Sequence, residues 1–356
     1  MDQNVEKMGM LDLMVRPGFC VQNNQIVKAN HAALGYQIPI GADVRPFFLT
    51  GSWEYAEFQG GCLYLTLQIN EQNFGVSVTR MDGFDVFIFE DDEDRSQLQA
   101  MALAARELRE PLASVMVTAD RLFPIEALQD DPQTQEQVAR INRGLLQMLR
   151  VISNMSDANQ YVSQTVSRQE TLDITAFLEE IFRHAEDLIA HSEVQLTFRN
   201  LPDPLYCLVD TEKLERAVLN ILSNAVKFTP KGGQILASLI RRNHMLYLQI
   251  QDSGSGIAEN LRGTVYSRYQ RTPSLEDGRH GIGLGMVLIR SAATSHGGTL
   301  LIDQPEGTGT RITMTLAIRQ NTDTMVRSPM LRVDYAGERD HALLELSDSL
   351  PASLYE

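Results

Sequence analysis

The chain has 356 residues, 43% of them hydrophobic and 22% charged. These ordinary globular values exclude both a single small module and a largely disordered chain. It carries 31 Lys and Arg against 46 Asp and Glu, a net charge of −15. Coating a nucleic acid needs a basic face, so no nucleic-acid partner is expected. Cys20, Cys62 and Cys207 lie far apart with no CxxC pair, which argues against a disulfide framework or a zinc site. The N-terminus lacks a basic stretch followed by an apolar core, and no run approaches about 20 apolar residues. A soluble, cytoplasmic chain without membrane insertion is the expectation.

Residues 1–90 alternate short apolar runs with Gly, Asn and Pro. GCLYLTLQIN, NFGVSVTRM and GFDVFIFE read as three strands in series, with turn signals at Asn70–Asn73 and Asp82–Gly83. An antiparallel sheet of about five strands is predicted. The acidic run Glu90–Asp94 reads as a solvated linker.

The period then changes. Leu98, Met101, Ala105, Leu108, Leu112, Val115, Ala119 and Leu122 form an a/d heptad seam, which Pro124, Asp130, Asp131 and Pro132 interrupt. A second seam follows at Val138, Ile141, Leu145, Met148, Ile152, Met155 and Val162. Two such helices make an antiparallel hairpin over residues 91–170. Two copies would close a four-helix bundle, so a homodimer through the hairpin is expected.

Residues 171–319 alternate helical and strand patterns. Helices are predicted over Ile174–Ala190, Thr211–Phe228 and Met286–Ser295. Strands are predicted over Val194–Arg199, Gln234–Arg241, Leu246–Asp252, Gly298–Asp303 and Thr310–Ile318. The whole is an α+β multidomain chain whose third unit is an α/β layer with a mixed sheet. Residues 320–356 have no clear period; LRVDYAG and HALLELSDSL suggest a short strand and a short helix.

The third unit holds the chemistry. In DTEKLERAVLNILSNAVKFTPKGG, Asn220 and Asn224 are four apart on one helix face and Lys227 is three further on. Neutral amide oxygens can face a magnesium ion beside a triphosphate while the lysine meets phosphate. Alone, the pair reads as two solvated amides on a polar face. IQDSGSGI ends a strand with Asp252, followed by Gly254 and Gly256. A carboxylate there can accept from an exocyclic amine, and the glycines let a flat base approach the backbone. In GRHGIGLGM, Gly281, Gly283 and Gly285 run into an apolar helix, a pattern whose free N–H groups suit an anion. The GxGxG spacing is not a dinucleotide fingerprint, and no GK[ST] is present.

In this order the segments resemble the sensor histidine kinase family. NILSNAVKFTPKGG is similar to its N box, DSGSGI to the G1 box, VYSRYQRT to the F box and GIGLGM to the G2 box. The resemblance spans roughly residues 98–316. It implies the Bergerat-type ATP-binding sandwich shared with gyrases and Hsp90-type chaperones, with ATP and Mg²⁺ as ligands. It also implies site roles. Asn224 would ligate magnesium with Asn220 beside it, Lys227 and Arg271 would contact phosphate, and Phe228 would lie near the nucleotide. Asp252 would read the adenine amine, with Gly254, Gly256 and Ile257 beside it. Gly281, Gly283, Leu284 and Gly285 would belong to the lid.

AARELREPLASVM resembles the family's H box at Glu107, Leu108, Arg109, Pro111 and Leu112, but Arg106 stands where the phosphoacceptor histidine is expected. The heptad puts residue 106 at outward position b. A guanidinium stays protonated near neutral pH and is no nucleophile. Glu107 remains as the family's base, and Glu110 stands where family phosphatases use Thr or Asn. His184, His191 and His280 read as surface or core histidines, and nothing activates Ser114 or Thr118. Asn30-His31-Ala32-Ala33, after two short strands, resembles the start of a PAS sensor domain; no residue set points to haem or flavin. The resulting organisation is a PAS-like unit over 1–90, the hairpin, the ATP-binding unit over 171–319 and a tail.

The expectation is an ATP-binding signalling protein that lacks histidine autophosphorylation and regulates a response regulator or another signalling protein by conformation. The alternatives are an active ATPase or protein kinase, and a non-enzymatic dimeric scaffold. The charge is uneven: residues 1–90 carry 5 basic against 10 acidic residues, whereas residues 171–319 carry 15 against 16. The unit expected to hold a polyanion is the one nearest neutrality.

Overall fold

The computed structural model describes residues 10–81, 83–90, 95–122, 132–162, 169–257, 284–305, 308–319 and 339–355. Five antiparallel strands form the N-terminal unit: β1 (Gly18–Gln22), β2 (Gln25–Ala29), β3 (Cys62–Ile69), β4 (Gln72–Met81) and β5 (Phe84–Phe89). Their order is β2-β1-β5-β4-β3. Asn23 and Asn24 join β1 to β2 with φ of 52° and 62°, and Asn70 and Glu71 join β3 to β4 with φ of 50° and 66°. Paired positive φ is the backbone of the tight hairpin turns that match strand twist. The predicted Asn70–Asn73 turn is therefore shorter, because β4 already begins at Gln72. Asn30 accepts from the Ala33 N–H at 3.0 Å and donates to the Arg16 carbonyl at 2.7 Å. It caps the 3₁₀ helix His31–Tyr36. Stacked rings, with Phe19 4.8 Å from Phe87 and Tyr36 4.6 Å from Phe89, fill this unit's core. A short helix, α1 (Ser52–Glu57), lies between β2 and β3.

The hairpin is α2 (Arg95–Leu122) and α3 (Pro132–Val162). Within each predicted seam the two heptad rows face different ways. Ala105, Leu112, Val138, Leu145 and Ile152 are buried. Leu108, Val115 and Leu122 on α2, with Ile141 and Met148 on α3, are 44–67% exposed. One row therefore closes the hairpin, and the other, apart from Met101 and Met155, is left on its surface.

The third unit contains β6 (Glu170–Asp173), α4 (Ile174–Ile189), β7 (Gln195–Arg199), β8 (Tyr206–Val209), α5 (Thr211–Phe228), β9 (Gln234–Arg242), β10 (Met245–Asp252), α6 (Gly285–Ser295), β11 (Leu300–Asp303) and β12 (Arg311–Ala317). The predicted elements appear within about two residues of their expected ends. β6 and β8, which were not expected, form a separate two-stranded ladder. Asp173 and Asp210 cap α4 and α5 by accepting from Thr175 and Lys213 backbone N–H groups. One core joins α4, α5 and the sheet through Leu178, Phe182, Leu222 and Leu248.

The two sheets are continuous. β3 pairs antiparallel with β11 through Tyr64–Leu300, Leu63–Leu301 and Cys62–Ile302, giving the order β2-β1-β5-β4-β3-β11-β12-β10-β9-β7. Gly61 makes this seam possible: its φ is +92°, and a Cβ there would lie 2.3 Å from the Ile302 carbonyl oxygen. Gly61→Val is expected to cost more than about 1–3 kcal/mol and to lower the melting temperature. An unchanged thermal melt would contradict this.

Glu90 is a correction to the solvated-linker expectation. It is 6% exposed. It accepts from Ser77 Oγ at 2.6 Å and Arg16 at 2.9 Å, and lies 3.6 Å from Arg290 of α6. A carboxylate stays inside when it is both hydrogen-bonded and paired with cations, and here Ser77, Arg16 and Arg290 from separate segments supply those partners. Residues 91–94 of the same run lie outside the described residues. The predicted short helix of the tail is α7 (His341–Glu345), and the LRVDYAG strand lies outside the described residues. Among the described residues no helix is long and apolar enough to cross a membrane. All three cysteines are free and buried, and burial pushes the Cys62 thiol up to about 12.

Candidate nucleotide site

α5 carries the first group of candidate residues. Asn220 and Phe228 are eight residues apart, about 12 Å along the helix. Asp252, at the end of β10, is buried. Its Oδ1 accepts from the backbone N–H groups of Gly254 at 2.8 Å and Thr310 at 3.1 Å. Burial pushes its carboxyl above the usual carboxylate range, and those two N–H groups offset part of the rise. A Cβ on Gly254 would lie 2.4 Å from the Phe228 carbonyl oxygen. The Asp252 loop therefore rests on the C-terminal end of α5, and only glycine permits that approach. Phe228 is 58% exposed, with Lys227 Nζ 5.8 Å from its ring centroid. Gly256 has φ +74°, and Ile257 packs against the core.

The middle of α5 meets α6. A Cβ on Gly285 would lie 2.9 Å from Asn220 Oδ1. Leu284 and Val287 pack against Met101 and Met155 of the hairpin. The structure thus brings Asn220, Asn224, Lys227, Phe228, Asp252, Gly254, Leu284 and Gly285 around one helix. Arg271, Gly281, Gly283 and His280 lie outside the described residues. Arg106 and Glu107 are exposed on α2. The hairpin side chains that reach α5 come instead from α3.

Those contacts involve residues that the sequence did not single out. Asn220 is 1% exposed. Its Oδ1 accepts from Arg150 at 3.1 Å, and its Nδ2 donates to the Arg216 carbonyl at 2.8 Å and to Glu345 at 3.1 Å. Arg216 donates to Glu345 at 3.1 Å and to Asn154 at 2.6 Å, and pairs with Asp157. Arg150 occupies heptad position f on α3, which reads as solvated, and Glu345 sits in a segment without a period. No local signal marks them, because their partner groups lie up to about two hundred residues away in sequence. Asn224, by contrast, is half-buried.

Residues 209–320 match the family model described as histidine kinase-, DNA gyrase B- and HSP90-like ATPase. The chain is similar to sensor histidine kinase WalK of Bacillus subtilis, 26% identical over 254 residues covering 68% of this chain and 41% of that one. It is also similar to adaptive-response sensory kinase SasA of Gloeothece citriformis, 26% identical over 229 residues covering 62% of this chain and 57% of that one. The fold resembles full-length ShkA, solved in complex with AMPPNP. That match has a TM-score of 0.51 and 18% identity, and covers 64% of this chain and 47% of that one. The chain spans about half the length of these curated relatives. A nucleotide-box constellation gathered around one helix, a matching ATPase family model over residues 209–320 and these relatives agree in supporting a two-component sensor histidine kinase family for this chain.

Proposed function

We propose that the chain binds ATP with magnesium between α5, the Asp252 loop and α6, and regulates a signalling partner by conformation rather than through phosphohistidine. The observation that carries this reading is Arg106. It is exposed on α2 beside Glu107, at the position where the family resemblance expects a histidine. Its guanidinium remains a cation and offers no nucleophile. Binding is supported by the matched ATPase family and by the buried carboxylate of Asp252, to which we assign the adenine amine. Lys227 would contact the phosphates, the role that the resemblance also implies for Arg271, which lies outside the described residues. The half-buried Asn224 amide, three residues from Lys227 on the same face, fits a magnesium ion that takes its remaining ligands from phosphate and water. That ion would neutralise triphosphate charge. Asn220 does not fit a ligand role while it is bonded to Arg150 and Glu345.

The exposed apolar row of the hairpin, Leu108, Val115, Leu122, Ile141 and Met148, supports a second copy closing a four-helix bundle. The β2-β1-β5-β4-β3 order and the Asn30 cap support a PAS-like sensor unit. A response regulator or another signalling protein is the proposed partner. Calorimetry with ATP and magnesium is expected to show binding, and incubation with γ-labelled ATP no acid-labile phosphate on the chain. Acid-labile label on the wild-type chain would overturn the loss of autophosphorylation. Acid-stable label on an added partner would favour a kinase of another type.

A further inference from the structure

We propose that the segment 339–355 is a built-in competitor for the nucleotide: its Glu345 carboxylate holds the place beside Asn220 that the phosphate end of ATP takes. The inference rests on the ATP-binding reading above and adds the regulation of that site. The segment is firmly seated. Asp340 caps α7 by accepting from the Leu343 N–H, and lies 2.9 Å from His184 of α4. Leu346, Leu350 and Tyr355 join the core of the third unit. Leu344 enters the hairpin core with Ala105 and Leu145.

At its centre, Glu345 has no exposed side chain. One carboxylate oxygen accepts from Arg216 at 3.1 Å; the other accepts from Arg150 and Asn220, each at 3.1 Å. Arg150 also donates to Asp348 at 2.7 Å. Two guanidinium groups and an amide converging on one anion are the donor set that recognises phosphate as readily as carboxylate. An apolar wedge of the same shape would be at least as stable as this buried charge cluster. An exchange of one anion for another gives the cluster a use. A competitor carried in the same chain also acts at high effective concentration.

Arg216 and Asn220 belong to α5, and Arg150 to hairpin helix α3. Glu345 and Asp348 therefore fasten the hairpin to the nucleotide-binding unit on the face that carries Asn220. Departure of the segment would free the Asn220 Nδ2 donor and the Arg150 and Arg216 donors that serve Glu345, and would leave α3 held to α5 by Arg216 with Asn154 and Asp157. Arrival of ATP and departure of the segment are then reciprocal, as linkage requires.

The test uses the full chain. Calorimetry with ATP and magnesium compares wild type with Glu345→Gln, and amide hydrogen exchange follows residues 342–350 of the wild type. We expect the Gln variant to bind about five- to tenfold more tightly, and nucleotide to speed wild-type exchange across the segment. Unaltered exchange on saturation with nucleotide overturns the proposal even if the variant folds poorly. Equal affinities in a folded variant overturn it as well. In both cases the ATP-binding reading stands. Absence of binding by both chains overturns that reading and this inference with it.

Discussion

Arg216→Ala is expected to destabilise the third unit by about 3–5 kcal/mol. The Arg216 side chain has no exposed surface and neutralises Glu345, also without exposed surface, and Asp157. Truncation leaves Glu345 buried with one guanidinium instead of two and removes the partner of Asn154. The cost comes from the stranded acid more than from the lost pair, because a buried charge without its counter-ion cannot be rehydrated. Arg216→Lys keeps the charge but not the fork that serves three acceptors, so an intermediate loss is expected. Hydrogen exchange of α5 amides reads the effect locally. Wild-type protection in the Ala variant would show that the cluster contributes nothing to stability.

Asp252→Asn is expected to weaken ATP binding by about 1.5–3 kcal/mol, roughly tenfold to a hundredfold, the range for a hydrogen bond to a charged group. The variant keeps an oxygen for the Gly254 and Thr310 N–H groups, so its fold is retained. Burial raises the Asp252 pKa, which means the folded chain holds the proton more tightly than the unfolded chain. The stability this contributes is present at low pH and is lost as pH rises through the raised folded-state value. At neutral pH the Asn variant is therefore at least as stable as the wild type. Binding runs the other way. Wild-type affinity falls as pH drops through the raised pKa, because the accepting carboxylate becomes protonated, and the Asn variant lacks this component. Calorimetry over a pH series checks both statements. Equal affinity of the two chains would remove Asp252 from the nucleotide site.

Much of the fold follows from local pattern. The hairpin seams, the α5 span Thr211–Phe228 and the strands on either side of Asp252 are periodic segments bounded by caps and turns, and such signals act within a few residues. The nucleotide boxes are legible for the same reason: Asn224 and Lys227 share one helix face, and Gly254 follows Asp252 within a single turn. The β6–β8 ladder was not legible. Its strands are four residues each and separated by a whole helix, too short to carry an alternation of their own.

The sequence by itself determined that Arg106 stands on an intact hairpin register and that a gathered set of nucleotide boxes lies in the third unit, because those facts depend on spacing along one chain segment. Only the tertiary structure decided what surrounds them. It joined β3 to β11 at Gly61, turned Glu90 inward to Arg290, and placed Glu345 between Arg150 and Arg216 against Asn220. Each of these is a pairing of charges or backbone groups contributed by separate elements. Burial makes such pairing obligatory, but no local period announces which distant residue will supply the partner.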